Sequence, residues 1–364
     1  VFDRTVERQG LNDVKDQMMN PLKHLTFGGR IYGDNLVAGK TYTGIYTDTD
    51  FKGWSLKSRK PAQEHQIRLA LATLQCENPA DWETMLNKTI SKVQTDKKAK
   101  QKTRQWWNSY WKRSYVFIDS GKIGSDYWKV GRNYQLFRYM LGCNAYGSEP
   151  TKFNGGLFTF DPVHIDSTRV FTPDFRLWGG GTMTAQNQRL VYFPMLKSGD
   201  FDMMKPQFDF YERMLDNAKL RTKVYWNHEG ACFSEQIENF GLPNLAEYDW
   251  KPRHEGFPVG VDSNPWLEYT WDTALEFALM MFDAHLYNNE PIVPHLPFIE
   301  SLLTFFDEHY SYLALRRGTN KLDGDGHLVL YPGSACETYK MATNATSTAV
   351  SYTNLRAHET SQDL

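Results

Sequence analysis

The pattern of apolar and polar positions divides the chain into a strand-like first part and a helical remainder. Between residues 22 and 74, apolar and polar side chains alternate in HLTFGGRIYG, KTYTGIYTDT and HQIRLALATL, with Gly, Asp and Asn between them. This alternation is typical of strands that bury one face. We therefore predict that this part is the end of a β-sandwich whose earlier strands are missing.

The spacing of apolar residues becomes helical just before a basic segment and stays helical after it. A first helix is predicted over 78–93. Pro79 lies in its first turn, where a backbone N–H would have no hydrogen-bond partner within the helix, so proline costs nothing there. The following segment, TDKKAKQKTR at 95–104, is basic and poor in apolar residues, which favours a solvated linker over an anion site. Beyond it, apolar residues recur at helical spacing. Five further helices are predicted, over 185–197, 203–223, 266–288, 295–315 and 335–350.

Long loops rich in Gly, Pro and Asn separate the later helices, over 147–181, 225–265 and 317–334. Loops of this length inside a compact domain are usually functional. A mainly α fold of paired helices, arranged as an α-toroid with its pocket in the loops at one end, fits this succession.

The predicted domains follow from this division. They are the C-terminal part of a β-sandwich with a short helix at 1–94, a basic linker helix at 95–115, a truncated toroid at 116–350, and a tail at 351–364.

Composition and charge narrow the range of partners. A net charge of −2 and a pI near 6.6 argue against a nucleic-acid partner. No apolar run reaches the roughly 20 residues that cross a bilayer. The four cysteines form no CxxC pair, so neither a metal site nor a disulfide scaffold is predicted. The aromatic content of 15 % suits stacking on sugar rings, although a large aromatic core accounts for many of these residues.

The stretch 171–202 is the main candidate for a functional site. Three successive glycines at 179–181 allow a close backbone approach to a ligand, and Thr182 or Thr184 can serve as the N-cap of the helix that follows. The first turn of that helix then carries three amides, Gln186, Asn187 and Gln188. Amides at the mouth of an apolar helix can bind several hydroxyls. An ordinary glycine-rich loop before a helix explains this stretch equally well.

Two further loops carry candidate side chains. The loop 225–243 contains His228, Glu229 and Glu235, and YPGSACETYK at 331–340 contains Glu337 after a Pro-Gly turn. HEGACFSEQ lacks the spacing of a zinc helix, no serine lies in a Gly-x-Ser-x-Gly elbow, and the DGDG segment is typical of an exposed turn. Carboxylate acid and base chemistry in an aromatic, amide-rich pocket remains, which is typical of a glycosidase. The alternative for Glu337 is a residue that only compensates a helix dipole.

The segment RYMLGCNAYGSEPTKFNGGLFTFDP resembles the entry to the catalytic domain of glycoside hydrolase family ninety-five, the α-L-fucosidase and α-L-galactosidase group. WGGGTMTAQNQRLVYFPMLKSGDFD and YPGSACETYK are more similar still to a set of bacterial proteins of undetermined function. The likeness covers about 20–350. It implies an (α/α)6 toroid of the six-hairpin glycosidase type, incomplete here and preceded by the end of a β-sandwich.

The resemblance also implies roles for particular residues. In the fucosidases, two asparagines before a Tyr-Trp-Pro motif act with a later aspartate to activate the attacking water. Aligned on 192–194, the second asparagine falls on Asn187 and the first on Ala185, a departure that leaves its role to Gln186 or Gln188. The family's general acid falls on Glu337. The activating aspartate would lie beyond residue 350, where this chain gives no counterpart.

The predicted catalytic residues are therefore Glu337 and Asn187. Asn154 matches an asparagine in the wall of the family's sugar pocket. The full set predicted to bind the sugar is Asn154, Arg176, Trp178, Gln186, Gln188, His228 and Glu229. No metal and no cofactor are predicted.

These residues predict an inverting glycoside hydrolase that acts on an oligosaccharide or polysaccharide of plant or host origin. Two alternatives stay open. One is a toroid polysaccharide lyase that uses Tyr192, His228 and Arg176. The other is a carbohydrate-binding protein that has lost catalysis, which the departure at Ala185 favours. The resemblance implies a periplasmic or extracellular location, without insertion into a membrane.

The last segment, SYTNLRAHETSQDL at 351–364, abandons the apolar pattern before it. We expect a tail that is not native to the protein. Together with the missing first strands, it predicts a piece of a longer protein that lacks the catalytic base and is inactive as given.

Overall fold

The computed structural model of the chain describes residues 1–151, 167–168, 170–173, 182–335 and 339–360. The strands are β1 (Leu25–Tyr32), β2 (Leu36–Tyr46), β3 (Thr49–Ser58), β4 (Arg68–Gln75), β5 (Met183–Thr184), β6 (Gln236–Ile237), β7 (Gly333–Ala335) and β8 (Tyr339–Ala342). The helices are α1 (Phe2–Arg8), α2 (Pro79–Thr95), α3 (Ala99–Arg113), α4 (Asp126–Cys143), α5 (Ala185–Ser198), α6 (Lys205–Arg213), α7 (Leu215–Trp226), α8 (Leu245–Tyr248), α9 (Thr273–Asn288), α10 (Leu296–Arg316) and α11 (Thr346–Thr360). Within the described ranges, no helix combines the length and apolar character that crossing a bilayer requires.

The described residues form two compact units. The first, which we call the β unit, consists of 20–111 with 167–168 and 170–173. The second, which we call the helical unit, consists of 1–19, 112–151, 182–335 and 339–360.

The β unit contains two separate antiparallel pairs, β1 with β4 and β2 with β3. Helix α2 covers one face of the β1–β4 pair: the Trp82 indole lies over Gly28 and donates a 3.0 Å hydrogen bond to the carbonyl of Ala72. Asn78 caps α2 by accepting the Ala80 N–H at 3.0 Å. The helix predicted over 78–93 is thereby confirmed.

The strand β3 was not among the predicted strands. Its apolar residues Phe51 and Trp54 lie three positions apart instead of two, so the alternation breaks within the strand. The pairing of β2 with β3 also shifts register between Ala38 and Thr41.

The core of the helical unit surrounds α9, which packs against α5, α10 and α11. Helices α5 and α9 run in the same direction, because Arg189 pairs with Glu276 near their starts and Lys197 lies over the Tyr287 ring near their ends. Helix α10 runs the opposite way, since Trp271, just before α9, contacts His309 near the end of α10. The starts of α5 and α9 and the end of α10 therefore lie together. We call this the site end of the helical unit.

The predicted (α/α)6 toroid is wrong. The chain is about 48 % helical with small antiparallel sheets, and a complete ring of helix pairs is not formed by the residues that the structure describes. The N-terminal region is β-rich, but its four strands form two separate pairs. Periodicity detects single helices and carries no information on whether helix pairs close into a ring.

Several predicted helix boundaries were also wrong. The segment 203–223 divides at Met214 into α6 and α7, and α9 begins only after Tyr269, whose φ of 62° is incompatible with a right-handed helix. The predicted helix at 335–350 is replaced by the β7–β8 pair and the start of α11. Residues 351–360 of the expected tail continue α11, in which Leu355 is buried and Arg356 pairs with Asp307 of α10.

A buried ion pair connects α4 to the residues that follow α5. Asp200 is fully buried and accepts a 2.6 Å hydrogen bond from Arg138 of α4, which is itself 1 % exposed. The Ser198 hydroxyl and Arg113, at 3.3 Å, also donate to Asp200. Gly199 ends α5 in the left-handed region, at a φ of 70°, and the chain then turns to place Asp200 among these donors. Burying a carboxylate is tolerable only with such pairing.

We predict that Asp200→Asn lowers the free energy of unfolding by about 3–5 kcal/mol, because it removes the carboxylate that pairs with the buried Arg138 charge at 2.6 Å. Asp202→Asn is the matched control: Asp202 pairs with Arg113 at 2.6 Å but its side chain is 43 % exposed, so a cost of about 0–1 kcal/mol is expected. Urea unfolding at neutral pH measures both. Equal losses in the two variants would contradict this account.

Candidate functional site

The structure describes five of the predicted site residues. Gln186, Asn187 and Gln188 occupy the first turn of α5, and His228 and Glu229 follow α7. The other four, Asn154, Arg176, Trp178 and Glu337, lie outside the described residues, as do the glycines at 179–181.

The start of α5 is capped by a residue from a different loop. Thr184 is the N-cap residue, but its side chain makes no capping hydrogen bond. Instead, the Glu235 carboxyl accepts the Gln186 N–H at 2.6 Å, and the Glu235 carbonyl accepts the Ala185 N–H at 2.9 Å. The β5–β6 pairing, which places Thr184 opposite Gln236, brings Glu235 to this position.

The side chains of Gln186 and Asn187 are uncommitted. Both are half-buried, and neither amide has a hydrogen-bond partner in the part of the chain that the structure describes. Amides in this state can bind a ligand without first breaking an internal hydrogen bond.

Gln188, in contrast, is fully buried and bonded within the fold. Its Nε2 donates to the carbonyl of Thr151 at 2.6 Å, and the Tyr211 hydroxyl donates to its Oε1 at 3.2 Å. Its amide therefore fastens α5 to α6 and to the end of the 112–151 segment.

Glu235 belongs to a group of buried acidic residues at the site end. It is 1 % exposed, and burial raises its pKa to about 8, against the opposing effects of the Gln186 N–H and the Arg189 charge. Among the described residues, none donates a hydrogen bond to its second oxygen, Oε2. Arg189 is engaged by Glu276 of α9 at 2.6 Å. Burial likewise raises the pKa of Asp272 and of Glu276.

Sequence reasoning placed weight on Glu235 but overlooked Asp272 and Glu276. The latter two lie four residues apart, as do neighbours on one face of a helix. The predicted helix at 266–288 placed both residues in its interior, where two acidic residues four positions apart do not indicate a functional site. Because α9 begins at Thr273, both lie at a helix start instead.

His228 lies beside the end of α10, and Glu229 follows it in the chain. The buried His228 ring packs among Trp226, His309 and Tyr312, and this burial lowers its pKa. Glu229 is exposed and pairs with Lys223 at 2.7 Å. Both line an open cavity of about 650 Å³, and none of the other predicted site residues that the structure describes lines it.

The described neighbours of Glu337 lie at the site end. Ala335 of β7 pairs with Tyr339 of β8, on either side of the three undescribed residues. The Ser334 hydroxyl donates to the carbonyl of Glu268, four residues before Asp272. Strand β7 also packs against α11.

The acidic DGDG segment forms a turn. The Asp323 carboxylate accepts the N–H groups of Asp325 at 3.0 Å and of His327 at 2.8 Å. These three exposed side chains are, among the described residues, the ones close enough together to hold a metal ion. Their mutual hydrogen bonds are those of an exposed turn.

The Glu235 carboxyl keeps its proton in the folded chain up to a pH of about 8. In an unfolded chain a glutamate ionises near pH 4.3, roughly. Since the folded state binds this proton more tightly, the contribution of Glu235 to stability falls as the pH rises through this window and is constant above it.

We therefore predict that Glu235→Gln, which cannot ionise, removes this decline. The free energy of unfolding of the variant minus that of the parent chain should rise by up to ~1.4 kcal/mol per pH unit between about pH 5 and 8. Urea unfolding at half-unit pH steps measures this difference. A difference that stays constant across the window would show that Glu235 is ionised in the fold.

Comparison with known proteins gives one match. The N-terminal model of a domain of unknown function, DUF5703, matches residues 1–116. No curated protein matches the chain. The match covers α1–α3 and the four strands of the β unit, which is about a third of the 364 residues. It reaches neither Asn187 nor Glu235, so it assigns no chemistry to the site end.

Proposed function

We propose that the chain is part of an inverting glycoside hydrolase of the α-L-fucosidase and α-L-galactosidase type. The observation that carries the proposal is the position of Asn187. Its uncommitted amide lies in the first turn of α5, at the end of the helical unit where the described neighbours of Glu337 also lie. These are the two residues to which the family resemblance gives the catalytic roles.

In this proposal Glu337 protonates the glycosidic oxygen as its bond to the anomeric carbon breaks. A water held partly by Asn187 attacks that carbon from the opposite face of the sugar and gives its proton to a carboxylate base, the aspartate that the resemblance places beyond residue 350. Inversion requires space for that water, so the acid and the activating carboxylate of such enzymes lie ~6.5–9.5 Å apart. Gln186, whose amide is also uncommitted, is suited to bind a sugar hydroxyl or the same water.

A binding protein without catalysis is the second candidate, and Ala185 is the observation that favours it. Ala185 occupies the place of the family's first asparagine, is 2 % exposed, and has its N–H bonded to the Glu235 carbonyl. It cannot itself hold a water with a side-chain amide.

The described residues give less support to a lyase. Tyr192, the base that a lyase would use, is buried, and its hydroxyl accepts the Thr151 N–H at 3.1 Å. Burial raises the pKa of Tyr192 to about 12, which opposes its ionisation near neutral pH.

We predict that Glu337→Gln lowers kcat by roughly 10²–10⁴ with little change in KM, because it removes proton donation to the leaving group and leaves the sugar contacts in place. The test uses the longest natural protein that contains these residues, with α-L-fucosides and α-L-galactosides as substrates. NMR of the first product should show the inverted anomer. Glu255→Gln, at an exposed position, is the matched control and should keep the parent rate.

Three outcomes would change the assignment. Unchanged turnover by Glu337→Gln would remove Glu337 as the acid. Sugar binding by the unsubstituted protein, with no product from any glycoside, would favour the binding protein. Unsaturated products from uronate polymers would favour the lyase.

A further inference from the structure

We infer that Glu235 is a positioning residue of the proposed hydrolase: as an un-ionised carboxylic acid it fixes the first turn of α5 and thereby the amide of Asn187. The inference rests on the proposed function for its catalytic part. Its structural part concerns only how α5 begins.

The first step is the geometry of the helix start. The first N–H groups of a helix have no partner within the helix, so an external acceptor fixes their direction. Here both acceptors at the first two positions belong to one residue, because Glu235 receives the Ala185 N–H on its carbonyl and the Gln186 N–H on its carboxyl. Asn187 is the next residue. A shift of Glu235 therefore moves the backbone from which the Asn187 amide projects.

The second step is the charge state of Glu235. A buried carboxylate that is ionised needs a counter-charge or several donors. The cation that acts on Glu235 is Arg189 of α5, and it pairs with Glu276 at 2.6 Å. Asp272, just before α9, adds unfavourable negative charge. Among the described residues, Tyr211 of α6 also faces Glu235 and brings no positive charge. The second carboxyl oxygen, Oε2, is buried and has no hydrogen-bond partner among the described residues, so it gains no stabilisation in the ionised form.

The hydrogen bonds of Asp200 and Glu235, both buried carboxyl groups, differ in number. Asp200 receives hydrogen bonds from two arginines and a serine hydroxyl. Glu235 receives one from the Gln186 N–H, and the nearby Thr273 hydroxyl also acts to lower its pKa. A buried carboxyl with so few donors suits a group that stays neutral.

The experiment compares three substitutions at residue 235. Glu235→Gln keeps the acceptor oxygen and is neutral, so kcat should stay close to the parent value at neutral pH. Glu235→Asp shortens the side chain and draws the acceptor away from the Gln186 N–H, and Glu235→Ala removes it. Both should lower kcat by up to about 10²-fold with KM little changed, since a small misplacement of a catalytic group has an effect of this size.

The pH profile separates positioning from a purely structural role. In the parent, kcat should fall with rising pH as the proposed acid Glu337 loses its proton, and it should fall more steeply above about pH 8, where Glu235 also ionises. Glu235→Gln should keep the first fall and lack the added steepness. A merely structural residue would alter stability and leave the profile of the folded enzyme unchanged.

Amide hydrogen exchange of the chain itself, over 183–190, provides a readout that needs no substrate. Exchange at the start of α5 should rise in Glu235→Asp and Glu235→Ala and match the parent in Glu235→Gln. If the parent cleaves no glycoside, the proposed function fails, and exchange still decides whether Glu235 holds α5. The inference is overturned if Glu235→Gln is as impaired as Glu235→Ala, or if Glu235→Ala keeps the parent kcat or the parent exchange.

Discussion

The site end of the helical unit depends on one contact, the cap that residue 235 provides for the start of α5. Gln186 and Asn187 occupy the first turn of α5 with uncommitted amides, while Gln188, one residue further, anchors the same turn to Thr151 and Tyr211. The cap and the anchor together fix the first turn from two sides. This division allows three successive amides to serve two purposes, with two available for binding and one used in packing.

The helical unit handles its two most buried carboxyl groups in opposite ways. Asp200 is surrounded by donors, and it ties α4 to the end of α5. Glu235 has few donors and lies beside Asp272 and Glu276, and it defines the other end of the same helix. The first arrangement contributes stability that depends on charge pairing. The second lowers the stability at neutral pH, because the burial that raises the pKa of Glu235 disfavours its charged form. Strongly shifted pKa values are common at functional sites.

The sequence predicted the parts of this arrangement that depend on local pattern. The alternation of apolar residues located three of the four strands of the β unit, and the polar first turn of α5 singled out Gln186 and Asn187. The sequence did not reveal that Glu235 would cap that turn, because the β5–β6 pairing that brings it there spans only two residues on each strand and has no alternation to detect.

The errors have physical causes of the same kind. A ring of helix pairs is a property of tertiary packing, and helical periodicity does not predict it. Asp272 and Glu276 were overlooked because the left-handed conformation of Tyr269 delays the start of α9, and no local signal marks such a residue. His228 and Glu229 were predicted from their residue types. They line a cavity that the first turn of α5 does not line, since a residue type does not show where its side chain points in the fold.

The most direct test of the account is an NMR titration of the chain, or of the natural protein that contains it, with L-fucose and L-galactose. The account predicts that the side-chain amide signals of Asn187 and Gln186 shift with sugar concentration while that of Gln188, bonded within the fold, does not. Saturable shifts confined to the residues around His228 and Glu229, with Asn187 unchanged, would contradict it.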